Sequence, residues 1–178
     1  ISSESNTISV TTLDEPEYCT SQGNSTSDER IGRVKFVNID NPSTGTAGYE
    51  DFTYISTDVV KGQSNQITIT PFWTSTVYSE GYAVFVDLNK DGDFTDDGER
   101  VFYKTPSTTT PITGSIVIPT TAITGTTRMR VMLIWNTTIT NPCGNYSYGQ
   151  VEDYTLNLVE PTLGTSNVAA NAGVLLYP

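Results

Sequence analysis

The stretch EGYAVFVDLNKDGDFTDDGERVFYKT, residues 80–105, decides how this chain is read. Its first part, EGYAVFVDL (80–88), is a short apolar run of branched and aromatic residues, the composition of a buried strand. The run leads straight into Asp87, Asn89, Asp91 and Asp93, with Gly92 where the chain must turn and Asp96, Asp97 and Glu99 following. Oxygen-bearing side chains at alternate positions of a short loop suit a hard cation. RVFYKT (100–105) leaves the loop as a second strand. An EF-hand loop starting at Asp87 would carry its closing carboxylate where Gly98 stands, and no helical pattern flanks the stretch. The reading is therefore a strand–loop–strand clasp for Ca²⁺ with ligands Asp87, Asn89, Asp91, Asp93 and Glu99. The alternative is a solvated acidic hairpin tip. Mg²⁺ fits less well, because so many carboxylates suit the larger, looser coordination sphere of Ca²⁺.

Working outward, further strand patterns fall at 31–39, 48–56, 66–73, 114–119, 127–135 and 151–159, punctuated by turn signals such as Asn41-Pro42 and Lys61-Gly62. QITITPFW (66–73) alternates strictly, Ile67 and Ile69 against Thr68 and Thr70. About eight strands without a convincing amphipathic helix predict an all-β fold, an antiparallel β-sandwich of Ig-like or jelly-roll type. Residues 15–160 carry the pattern. Residues 1–14 read as a linker or loose first strand, and 161–178 as a linker to a further C-terminal domain.

The chain has 178 residues, 36% hydrophobic and 16% charged, with a net charge of −11. Its length suits one domain with a real core. The acidity argues against nucleic acid, which needs clustered Lys and Arg. There is no His, which removes the usual general base and most zinc sites. No apolar run is long enough for a membrane span. No GxSxG, HExxH or phosphate loop is present, and the clustered carboxylates are accounted for by metal binding, so the expectation is a non-enzyme. Cys19 and Cys143 lack metal-site spacing and read as one disulfide rather than two free thiols.

In YGQVEDYTLNL (148–158), Glu152 shares a strand face with Tyr154, Leu156 and Leu158, which looks like the core side, and Asp153 points the other way. A carboxylate there needs a metal or an Arg, with Arg128 and Arg130 the nearest candidates. GYEDFT (48–53) echoes this motif; the plain alternative is two unrelated strand entrances. Trp73, Tyr78, Tyr146 and Tyr148 lie near strand ends or in loops, where an aromatic face can stack on the C–H face of a sugar. Arg128 and Arg130 would meet a sulfate or carboxylate. Trp135 alternates with Met129, Val131 and Leu133 and is expected in the core.

Taken together, YC (18–19), IGRVKFVNI (31–39), GYEDFT (48–53), the acidic clasp (84–102), TTRMRVML (126–133), PCG (142–144) and YGQVEDYTLNL (148–158) resemble a GEVED domain, a module of bacterial secreted proteins named for its closing motif. Phe85, where the family often has Trp, and Gln150, within the naming motif, depart from the pattern. The resemblance implies a non-catalytic β-sandwich attached to secreted peptidases or polysaccharide-degrading enzymes, at the cell surface or outside the cell. It also implies that the tail leads to a type IX secretion sorting domain. The functional expectation is a Ca²⁺-stabilised carbohydrate-binding module, a monomeric unit of a multidomain chain, whose partner is a neutral, sulfated or carboxylated polysaccharide. The alternative is a structural or protein-contacting accessory domain of a secreted peptidase or adhesin.

Overall fold

The computed structural model describes residues 17–162, so the expected linker at 1–14, and all but the first two residues of the one expected at 161–178 with its sorting-domain tail, lie outside the described residues. Eleven strands and no helix are found among the described residues. Eight are the long strands that the apolar patterns foretell: β2 (Glu29–Phe36), β4 (Tyr49–Val60), β5 (Ser64–Trp73), β6 (Glu80–Val86), β7 (Arg100–Ser107), β8 (Ile112–Val117), β9 (Gly125–Trp135) and β11 (Gly149–Val159). The other three, β1 (Ser21–Gly23), β3 (Ile39–Asn41) and β10 (Gly144–Tyr146), are three residues each, too short to show a period. A five-stranded sheet, β4-β11-β9-β6-β7, packs on a four-stranded sheet, β3-β2-β5-β8. Between them lies the main core, which includes Ile31, Val34, Ile67, Ile69, Tyr82, Val84, Met129, Val131, Tyr154 and Leu156.

The sandwich is mixed rather than purely antiparallel. β11 is antiparallel to β9 but parallel to β4, with Val151, Glu152 and Asp153 beside Tyr49, Glu50 and Asp51. The echo between the two motifs is thus a pairing of like strand entrances, side by side in one sheet. Both begin with a glycine for a steric reason. A Cβ on Gly48 would meet the Gly23 carbonyl oxygen at 1.7 Å, and one on Gly149 (φ +126°) would meet the Leu133 carbonyl oxygen at 2.1 Å. Gln150 sits buried beside them. Its amide oxygen accepts the Ile31 N–H at 3.0 Å, and its amide nitrogen donates to the Ala47 carbonyl at 2.8 Å, joining the two sheets.

The five-stranded sheet is covered on its outer face too, which is why every residue of β6 is buried. Ala83, Phe85, Met132, Ile134 and Val151 form a second core with Phe94 and Ile139. The cover is made of irregular chain: the segment around β1, the segment around β10, which pairs with it in parallel, and the acidic loop. Cys19 and Cys143 are bridged and join the first two. A closed loop with a sequence separation of 124 residues is worth about 4–5 kcal/mol in the chain-entropy view.

Arg130 locks this cover to the sheet. Its Nε and Nη2 donate to both oxygens of Asp153, at 2.8 and 2.9 Å. Its Nη1 donates to the carbonyls of Cys19 and Pro142, at 2.9 and 3.0 Å, and its guanidinium lies over the Phe94 ring. Asp153 also accepts the Tyr49 hydroxyl at 3.1 Å. Arg130 and Asp153 are both buried, and the donors of Arg130, expected to meet an anionic ligand, are taken by Asp153 and the two carbonyls. Removing one partner of a buried pair strands the other charge. Arg130→Met is therefore expected to cost about 3–5 kcal/mol in urea unfolding, and Arg130→Met with Asp153→Leu clearly less than the sum of the single changes. Additive losses would contradict the coupling.

Candidate functional site

β6 connects two chemically distinct ends of the sandwich. At its C-terminal end the acidic loop is built around Asp87, which is buried. One Asp87 oxygen accepts the Lys90 N–H at 2.6 Å; the other accepts the Gly92 N–H at 3.1 Å and the Tyr18 hydroxyl at 2.7 Å. Glu99, also buried, accepts the Leu88 and Asp96 N–H groups, at 2.8 and 3.3 Å. These two carboxylates hold the loop's own backbone. The group whose carboxylate oxygens converge is Asp91, Asp93 and Asp96, all within 4.8 Å of one another. The Asn89 amide nitrogen donates to Asp91 and Asp96, at 2.9 and 2.6 Å. So of the five expected ligands the loop brings Asp91 and Asp93 together, adds Asp96, and puts Asn89 beside them. Gathered hard oxygens of this kind fit a Ca²⁺-type cation.

At the N-terminal end of β6 the two sheets part to form a mouth. Inward-facing positions continue beyond the apolar core: Glu29 after Ile31 on β2, Trp73 after Ile69 on β5, Glu80 before Tyr82 on β6, and Trp135 after Leu133 on β9. β2 places Glu29 opposite Trp73, and β6 places Glu80 opposite Trp135. Glu29 and Glu80 are 2% and 0% exposed. The Trp73 indole N–H donates to one Glu80 oxygen at 3.2 Å, while the other Glu80 oxygen and one Glu29 oxygen have no partner. Burial, the Glu80 charge and the Asp28 charge push the Glu29 carboxyl up to about 7. Burial raises Glu80 as well.

In front of this pair is a cavity of about 210 Å³ lined by Asp28, Glu29, Tyr78, Trp135 and Tyr148. Trp135 keeps its core-facing parity but stands at the open end of the sandwich, so it is 43% exposed, contrary to the expected core position. It meets Tyr148 edge to face, with ring centroids 5.7 Å apart. The same two rings also wall a second cavity of about 320 Å³, with Asn136, Thr137, Asn145 and Ser147. Tyr146 lines that cavity and has its hydroxyl on the Asn141 carbonyl at 2.7 Å. A third hollow, about 330 Å³, continues past Thr137 and Tyr146. Trp73, expected at the surface, is instead half-buried and holds Glu80. Arg128 is far from this track, stacked over the Tyr18 ring at 4.3 Å.

Among the described residues Glu152 has no cation partner. It is buried in the main core, one oxygen accepting the Tyr154 hydroxyl at 2.6 Å and the other unpartnered. Burial raises its pKa to about 7, and the Ser43 and Tyr154 hydroxyls only partly offset this. Because that folded-state value lies above the ordinary 4.5, the group's contribution to stability is complete below 4.5 and is lost as pH rises through about 7. Thermal unfolding with chelator present is expected to show a falling Tm between pH 5 and pH 8. Glu152→Gln should flatten that fall and raise Tm at pH 8 by several degrees, at roughly 2–4 °C per kcal/mol for a domain of this size. An unchanged pH profile in Glu152→Gln would contradict this assignment.

No curated protein matches the chain in sequence. Among solved structures, that of a Niemann-Pick type C2 protein from the Japanese carpenter ant is similar over 76% of this chain and 98% of that chain, with 6% sequence identity and a TM-score of 0.39. The likeness read from the motifs finds support in the central and closing part of the chain: residues 81–157, from β6 to near the end of β11, match the family model of the GEVED domain.

Proposed function

We propose that this domain is a non-catalytic carbohydrate-binding module, with the Trp135–Tyr148 pair as its platform, serving a secreted or cell-surface polysaccharide-degrading enzyme. The carrying observation is that two exposed aromatic rings form a ridge between two cavities, one bordered by carboxylates and one by amide and hydroxyl side chains. A pyranose ring offers an apolar face to such a ridge and hydroxyl donors to the flanking acceptors. A row of hollows sharing walls suits successive units of a chain. The disulfide is in keeping with an oxidising compartment. Calorimetry against soluble oligosaccharides should detect binding, and Trp135→Ala or Tyr148→Ala should weaken it about tenfold or more, since a stacked ring is worth roughly 1–3 kcal/mol. Failure to bind any neutral, cationic or anionic oligosaccharide would sink the reading.

The acidic loop serves this module as a structural clasp in the same reading. Asp91, Asp93 and Asp96 would hold Ca²⁺, with Asn89 adjacent, and neutralise a local concentration of negative charge. β6 separates the clasp from the mouth by its full length, roughly 20 Å at about 3.3 Å per residue. Millimolar Ca²⁺ is therefore expected to raise Tm without changing sugar affinity at 25 °C. Asp91→Asn should abolish the Ca²⁺-dependent rise, and Asp87→Asn should lower Tm both with Ca²⁺ and with chelator. Equal melting curves in Ca²⁺ and chelator would contradict the clasp.

A further inference from the structure

The proposed sugar site has a sign of charge that the neutral reading does not use. Asp28 and Glu29 line the first cavity, and Glu80 lies close enough behind Glu29 to act on its titration. None of the ion pairs among the described residues involves any of the three. The basic residue next in sequence, Arg30, carries its guanidinium over the Phe72 ring at 3.9 Å and is not spent on Glu29. Arg33 and Lys35 pair with Asp40, Lys61 with Glu160, and Arg130 with Asp153. Two carboxylates that are almost wholly buried, each with an unpartnered oxygen, are costly to the fold. Tyr78, Trp135 and Tyr148 line the same cavity as Glu29.

We infer that the first cavity takes a protonated primary amine carried on a sugar ring, as in the 2-amino-2-deoxyhexose units of a deacetylated amino-sugar polymer. The inference rests on the sugar-binding reading above. An ammonium group brings three N–H donors and a positive charge. The Glu29 carboxyl on the cavity wall and the adjacent Asp28 would accept two of the donors, while Tyr78, Trp135 and Tyr148 present ring faces or edges to the cation and to the sugar's C–H groups. Bound charge would also relieve the repulsion between Glu29, Glu80 and Asp28. An N-acetylated unit offers one amide donor and no charge, and a uronic acid or sulfated unit brings a charge of the wrong sign. Arg128 and Arg130, the residues expected to meet an anionic unit, line a separate hollow of about 200 Å³ with Tyr18, Cys19 and Tyr49 and do not line the mouth.

The test is calorimetry with the full chain at pH 7 and 150 mM salt, using a glucosamine hexamer, its fully N-acetylated counterpart and a polyuronate oligomer. The expected order is glucosamine hexamer tightest, by about tenfold or more over the N-acetylated form, as charge-assisted hydrogen bonds exceed neutral ones. The polyuronate should be weakest. Glu29→Gln and Asp28→Asn should each cut the ratio of amine to N-acetyl affinity several-fold, whatever they do to the absolute affinity for either sugar. Asp58→Asn, an exposed charge on β4 remote in sequence from the mouth, should leave the preference intact. Equal affinity for the amine and N-acetyl forms overturns the inference and leaves the sugar site standing. Equal loss of preference in Asp58→Asn overturns it as mere attraction to an acidic protein. Binding to an oligolysine peptide as tight as to the glucosamine hexamer, and lost in Tyr148→Ala, overturns the sugar half of the assignment. No binding to any sugar overturns the inference together with the reading it rests on.

Discussion

The buried ion pair of Arg130 and Asp153 is the constraint on which the rest of the architecture depends. A sheet covered on one face by a second sheet and on the other by irregular chain has a weak side. Irregular chain brings unpaired carbonyls that must be satisfied, and it contributes little apolar surface. One guanidinium solves several of these problems together: it neutralises Asp153, fills two carbonyls from the two disulfide-linked segments, and packs on Phe94 from the acidic loop. The three pieces of the cover thus converge on one side chain. Arg suits the role better than Lys because its planar fork donates in several fixed directions at once.

The closing motif can be understood residue by residue in these terms. Gly149 permits the close approach of Leu133. Gln150 joins the sheets, Val151 fills the outer core, Asp153 anchors Arg130, and Glu152 faces the inner core beside Tyr154. None of these positions reaches the cavity at the mouth. The motif specifies the scaffold, whereas the rings that line the mouth, Trp135 and Tyr148, lie just before and within the loop that leads into it.

Much of the fold was legible because apolar alternation is a direct record of burial: all eight long strands, the sandwich class and the Cys19–Cys143 bridge could be read from the chain. The parallel pairing of β4 with β11 was not, since periodicity carries no information about strand direction. The site was legible only in part. Tyr78 and Tyr148 stand out in the sequence as candidates, but the parity of Trp135 points inward to the core, and parity does not reveal where a sandwich ends. Glu29 and Glu80 carry a weaker signal of the same kind. Each extends the inward-facing row of its strand by one step, Glu29 before Ile31 and Glu80 before Tyr82, the same reasoning that drew attention to Glu152. In the acidic loop, spacing identified a cluster of oxygens but could not tell those that hold backbone N–H groups, Asp87 and Glu99, from those left to converge.

Two chemically distinct ends lie along one strand: a charge-rich loop packed into the cover at one end of β6, and an aromatic, acidic mouth at the other. Buried carboxylates at the mouth oppose stability. Amide chemical-shift mapping during titration with the glucosamine hexamer tests this division most directly. The account predicts shifts concentrated at residues 28–30, 73–80, 134–137 and 145–149, with residues 87–99 unmoved. Shifts centred on residues 87–99, or on the Tyr18–Arg128 face, would contradict it.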